Sequence, residues 1–126
     1  MEITTIQKNI HNSPRKVRLV ADLIRKMVPE QAVQTLRFTN KAASVSLMKA
    51  IEVVLANAKS QNIDLEKVNF KTIEVNEGVK MRRFRAGTKG RAKPYRKRLS
   101  QIKIVLSDEI RRPEIVNAEK LEKGDK

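Results

Sequence analysis

Val79-Lys80-Met81-Arg82-Arg83-Phe84-Arg85, Ala86-Gly87-Thr88-Lys89-Gly90 and Arg91-Ala92-Lys93-Pro94-Tyr95-Arg96-Lys97-Arg98 follow one another without a break, basic and apolar residues interleaving on both sides of a glycine-bounded centre. This is the pattern of two β-strands around a turn rather than of a formless tail. Residues 79–103 hold eleven Lys or Arg and no acidic residue, whereas the other 101 residues hold 17 basic and 14 acidic side chains. Most of the formal net charge of +14 is therefore concentrated in one segment, and a segment of that sign meets phosphate.

A turn centred on Thr88-Lys89 sets Arg85 opposite Ala92 and Arg83 opposite Pro94. One face then carries Lys80, Arg82, Phe84, Lys93, Tyr95 and Lys97, the other Met81, Arg83, Arg85, Pro94, Arg96 and Arg98, and neither is apolar enough to lie on a protein core. An isolated two-stranded ribbon is marginal in water, and facing like charges weaken it further. Its order must come from outside, and a surrounding polyanion supplies both counter-charge and packing surface. With about ten residues per arm at roughly 3.3 Å each, the ribbon reaches some 30–35 Å from the body, enough to enter a folded RNA. Phe84 and Tyr95 either offer their rings to bases or pack against each other across the ribbon, and both readings stay open.

Outward from the hairpin the period stays at two: residues 68–77 alternate before it, and Ile102-Lys103-Ile104-Val105-Leu106 is the returning strand. Residues 3–10 show some apolar alternation and form a short strand. Ser13-Pro14 is an N-cap followed by proline at the first helical position, and Val17, Val20, Ala21, Ile24 and Val28 continue at helical spacing, which predicts a helix of about 14 residues. Pro29 stops it and opens a second short helix through Ala32, Val33 and Leu36. Asn40 is the expected N-cap of the third and longest helix, with Ala43, Leu47, Met48, Ile51, Val54, Leu55 and Ala58 as its apolar face and Asn62 as a left-handed stop. The expected fold is α+β: three helices packed on a small three-stranded antiparallel sheet with a long protruding basic β-hairpin. Residues 1–108 form the single domain, hairpin included at about 78–103, and residues 109–126 a flexible tail.

Arg15, Lys16 and Arg18 crowd the first turn of helix one, where the helix dipole penalises cations; docked phosphates account for that cost. Catalysis finds little support. His11 is the sole histidine, there is no cysteine, and Glu74 and Glu77 sit where solvated carboxylates are expected, so neither a metal, a cofactor nor an enzyme is implied. No run approaches the roughly 20 apolar residues of a membrane span, and no signal-peptide pattern opens the chain, which points away from membranes and to the cytosol or whatever compartment, an organelle included, holds the partner of the basic segment.

SPRKVRLVADLI at 13–24, NKAA at 40–43, LANAKSQN at 55–62, VNEG at 75–78, KGRAKPYRKR at 89–98 and IKIVLSD at 102–108 together resemble the large-ribosomal-subunit protein 22 family, over roughly residues 5–108. The resemblance implies a structural constituent of the ribosome, cytoplasmic, with the hairpin buried in large-subunit ribosomal RNA. It implies rRNA contacts for Arg15, Lys16 and Arg18 and, along the hairpin, for Lys80, Arg82, Arg83, Arg85, Lys89, Arg91, Lys93, Arg96, Lys97 and Arg98. It further implies that the tip, Ala86, Gly87, Thr88, Lys89, Gly90 and Arg91, reaches the wall of the nascent-peptide exit tunnel, with neighbouring ribosomal proteins and nascent polypeptide as partners. The sequence departs from the family pattern at Val79, where proline is usual, at Ala86-Gly87-Thr88 in place of proline-arginine-alanine, and at Leu99-Ser100-Gln101 in place of threonine-serine-histidine. A competing reading is a DNA-architectural protein with basic β-arms; such arms carry an apolar wedge at the tip, and Gly87-Thr88-Lys89-Gly90 has none. A nucleic-acid enzyme is the third reading, weakened by the missing acid, base or metal cluster.

Overall fold

The computed structural model describes residues 1–108; the expected tail lies outside the described residues. The chain runs β1 (Glu2–Ile10), α1 (Pro14–Ile24), α2 (Pro29–Phe38), α3 (Ala42–Ser60), β2 (Asn69–Ala86) and β3 (Ala92–Ser107). The strands form one antiparallel sheet in the order β1-β3-β2, so the last strand is central and both partners flank it. This is the expected α+β architecture, with the hairpin built from the distal halves of β2 and β3.

The helices begin and end for local reasons. Ser13 takes the extended N-cap conformation before Pro14, and its carbonyl, rather than its hydroxyl, serves the helix by accepting from the N–H groups of Lys16 and Val17 at 3.1 and 3.3 Å. α1 has 11 residues, shorter than the spacing predicts. Val28 is extended (ψ 142°) because it precedes Pro29, whose ring disfavours a helical conformation at the residue before it, so Val28 starts α2 instead of finishing α1. The N-cap of α3 is Lys41, one residue later than Asn40. Asn62 is left-handed (φ 56°), and the N–H groups of Asn62 and Ile63 return to the carbonyls of Lys59 and Ala58, a Schellman closure that ends α3 as expected.

One aliphatic cluster joins the helices to one face of the sheet. Val17, Ala21 and Ile24 of α1, Ala32 and Leu36 of α2, and Leu47, Ile51, Val54 and Ala58 of α3 pack with Ile102, Ile104 and Leu106 of β3 and with Ile3, Ile73 and Val75 from the flanking strands. Met48 and Leu55, expected on the buried face of α3, are only partly covered, while Ser44 and Ala50 are buried in their stead. Phe70 and Ile73 have opposite parity along β2 yet join the same cluster. A bulge between Phe70 and Thr72 makes this possible: Phe70 faces Leu106 and Thr72 faces Val105, so one extra residue returns the strand to register.

Candidate nucleic-acid interface

Two further bulges sit level with Ser100, where the sheet leaves the body. On β1 the register slips between Gln7, opposite Ile102, and Ile10, opposite Ser100, with Asn9 left-handed at φ 57°. On β2 it slips between Glu77, opposite Ser100, and Lys80, opposite Arg98. Gly78 permits the second slip, since a Cβ there would lie 3.0 Å from the carbonyl oxygen of Leu99 and 3.1 Å from its carbon. β1 ends here, and β2 and β3 continue alone as the ribbon.

The extra residue at this bulge corrects the expected pairing of the arms. Arg85 faces Lys93, Arg83 faces Tyr95 and Phe84 faces Pro94, one position away from the register of a turn centred on Thr88-Lys89. The tip agrees with the new register. Ala86 pairs with Ala92, the Gly87 N–H donates to the Arg91 carbonyl at 2.6 Å, and three residues, Thr88-Lys89-Gly90, close the loop. Lys89 and Gly90 are both left-handed (φ 57° and 71°), and glycine suits the second at no steric cost. One face of the ribbon therefore carries Lys80, Arg82, Phe84, Ala86, Ala92, Pro94, Arg96 and Arg98, and the other Met81, Arg83, Arg85, Lys93, Tyr95 and Lys97. Lys93, Tyr95 and Lys97 have exchanged sides with Pro94, Arg96 and Arg98. Phe84 and Tyr95 consequently do not pair across the ribbon; the Arg85 guanidinium lies over the Tyr95 ring, 4.7 Å from its centroid.

The register also sets like charges against one another. Lys80 faces Arg98, Arg82 faces Arg96 and Arg85 faces Lys93, each pair destabilising to the ribbon by itself. Lower on the same strands the sign is reversed: Glu74 faces Lys103, with Oε2 3.7 Å from Nζ. Every cation expected at the interface, from Arg15 to Arg98, is exposed.

At the base of the ribbon the fold brings four of these cations together from three elements. Arg15 and Arg18 of α1, Lys80 of β2 and Arg98 of β3 line a cleft of about 410 Å³ with Ser13, Pro14 and Glu77. Glu77, expected as a solvated carboxylate, lines the cleft too; it pairs with Lys80 at 3.3 Å, and its place beside Gly78 in the VNEG string is the available signal. Arg18 has a second duty. Its Nε and Nη2 donate to the Val75 carbonyl at 3.3 and 3.1 Å, tying α1 to β2. Lys16 does not line the cleft, and Lys89 and Arg91 sit at the opposite end of the ribbon. The groove between α2 and α3, about 400 Å³, has mixed charge by contrast, with Arg37 and Glu52 3.8 Å apart within it.

Residues 5–107 match the family described as ribosomal protein L22p/L17e. The chain belongs to that family. It is 42% identical over 110 residues to large ribosomal subunit protein uL22 from two strains of Leptospira biflexa serovar Patoc, the match covering 86% of this chain and 95% and 94% of the two relatives. Membership in the L22p/L17e family makes the chain a structural, non-catalytic constituent of the large ribosomal subunit, and hence of the cytoplasmic ribosome. Among the described residues no helix is long and apolar enough to cross a membrane.

Proposed function

We propose that the chain binds and orders large-subunit ribosomal RNA through the cleft at the start of α1 and the two arms of the hairpin, and that the tip, residues 86–91, faces the nascent-peptide exit tunnel. The observation that carries this reading is the set of facing cation pairs along a ribbon that has no core face. Such an arrangement costs stability in the free chain and is offset when phosphates lie between and around the charges. The cleft supports the reading independently, because Arg15, Arg18, Lys80 and Arg98 converge from separate elements with one carboxylate among them. Neighbouring ribosomal proteins and the nascent polypeptide are the further partners.

With about six hairpin cations on phosphates, log K against log salt slopes by roughly −4 to −5, and structured RNA is preferred over duplex DNA at matched salt. Replacing Arg82, Arg83, Arg96 and Arg98 by Ala flattens the slope. An unchanged slope would move the phosphate contacts off the arms. The tip is tested separately. Deleting residues 87–90 and closing the turn leaves arms and body in place, so incorporation into the large subunit persists while nascent-chain arrest or inhibitor response changes. Deleting residues 80–98 weakens incorporation itself. Subunit occupancy by quantitative mass spectrometry beside a translation-arrest assay reads both; loss of incorporation on the short deletion, or no change in translation from either, sinks the tunnel-facing tip on an anchoring stem.

A further inference from the structure

Near the tip, the register gathers four uncharged side chains on one face of an otherwise basic ribbon. Phe84 faces Pro94 and Ala86 faces Ala92 in consecutive positions, so the four form one continuous strip. Phe84 keeps 70% of its surface exposed and borders the hollows on both sides of it: one of about 380 Å³ shared with Arg82, Pro94, Tyr95 and Arg96, and one of about 190 Å³ shared with Arg85, Ala86, Gly87, Gly90, Arg91 and Ala92. The other aromatic ring of the ribbon, Tyr95, already has a cation over it. A single exposed apolar residue is ordinary, but a strip of four bracketed by arginines at both ends is a shaped surface with a defined electrostatic rim.

We infer that the Phe84–Pro94 strip is a stacking site for an unpaired RNA base. The inference rests on the reading that the arms bind RNA, and adds which part of the RNA this face takes. A flat apolar surface beside cations matches a nucleotide, whose base is apolar on its face and whose flanking phosphates are anionic. Arg82 and Arg96 face each other directly below Phe84 and Pro94, and Arg91 lies on the tip side, positions suited to the phosphates on either side of the stacked base. Bases inside a duplex are already stacked on their neighbours, so the strip selects a base from a single-stranded loop, bulge or junction. The opposite face pairs its uncharged Met81 and Tyr95 with Lys97 and Arg83, so it has no comparable continuous strip and suits backbone phosphate.

The test uses the full chain with two probes of equal length, a single-stranded RNA carrying 5-iodouridine and an RNA duplex, followed by fluorescence anisotropy. Phe84→Ala weakens the single strand by roughly tenfold, within the range for one base on one aromatic ring. Duplex affinity and the salt slope of both complexes stay as they were, because no charge is removed. Phe84→Tyr retains single-strand affinity, and ultraviolet crosslinking of the iodouridine probe places the adduct on Phe84. Equal loss for duplex and single strand, an unchanged single-strand affinity in Phe84→Ala, or crosslinks confined to Tyr95 overturn the stacking site while leaving the arms as phosphate binders. Failure of the unsubstituted chain to bind either RNA overturns both readings together.

Discussion

β2 and β3 pass through two different environments, and Ser100 marks the boundary. On the body side, Ile102, Ile104 and Leu106 of β3 are fully buried under the helices and Glu74 faces Lys103. On the hairpin side every residue of β3 from Ala92 to Arg98 is exposed, and cations face cations. The backbone ladder is the same kind in both halves. What differs is the origin of order: burial of aliphatic surface in one half and, on the proposed reading, counter-charge from an RNA partner in the other. A single pair of strands can thus be half fold and half interface.

The largest expected effect is in the body. Ile104→Ala removes buried methyl groups from the centre of the cluster and lowers stability by about 2–5 kcal/mol in urea denaturation. The double substitution Arg82→Ala with Arg96→Ala, made in the hairpin at one facing pair, leaves the free chain as stable as before or slightly more so. Amide hydrogen exchange sharpens the contrast: residues 102–106 exchange slowly and residues 80–98 fast until RNA is added. A hairpin substitution that destabilised the free chain as much as Ile104→Ala would erase the distinction between the halves.

The boundary itself yields the next effect. Gly78→Ala puts a methyl group 3.0 Å from the Leu99 carbonyl oxygen, a tight contact that the Leu99 backbone relieves by giving a few tenths of an ångström, at a cost of up to about 1–3 kcal/mol. If the bulge closes in response, cross-strand contacts shift from Phe84–Pro94 to Phe84–Lys93, observable as nuclear Overhauser effects. Unchanged contacts and stability would mean the bulge does not depend on glycine. Arg18→Leu is smaller. It removes two hydrogen bonds to the Val75 carbonyl and costs about 1–2 kcal/mol in the free chain, with an additional loss of RNA affinity that a purely structural arginine would not show.

The smallest effect is at the far end of the body. The Asp108 carboxylate accepts from the Met1 ammonium at 2.6 Å, and this hydrogen bond holds its pKa below the ordinary 3.8. Because the folded-state value is depressed, the contribution is present above that ordinary value and fades as pH falls through the folded one. Asp108→Asn therefore lowers stability slightly at neutral pH and not at all in strong acid, a difference that added salt shrinks. An effect that persisted at low pH would point to packing rather than charge.

How much of this was legible in the sequence follows from where burial imposes a pattern. Ser13-Pro14, Pro29 and Asn62 each act through their own backbone geometry, so the starts of α1 and α2 and the end of α3 could be read from single residues. The basic segment, its turn and its strand character came from charge and alternation, and the family from the strings that carry them. The end of α1 differs from its apolar spacing by a few residues and the cap of α3 by one, since that spacing runs on through Val28 and Asn40 is as good a cap by type as its neighbours are poor.

The sequence by itself determined that this chain is an aliphatic α+β body carrying a concentrated basic β-hairpin, because periodicity and charge are local properties. Only the tertiary structure decided how the arms face each other. Register is pinned where a slip would turn apolar residues out of a core, and the arms have no core to be turned out of. The deciding event is one extra residue beside Gly78, whose missing side chain lets the Leu99 backbone approach closely, and it leaves no periodic trace in the sequence. That residue separates Phe84 from Tyr95, sets Arg82 against Arg96, and gathers the apolar strip on one face.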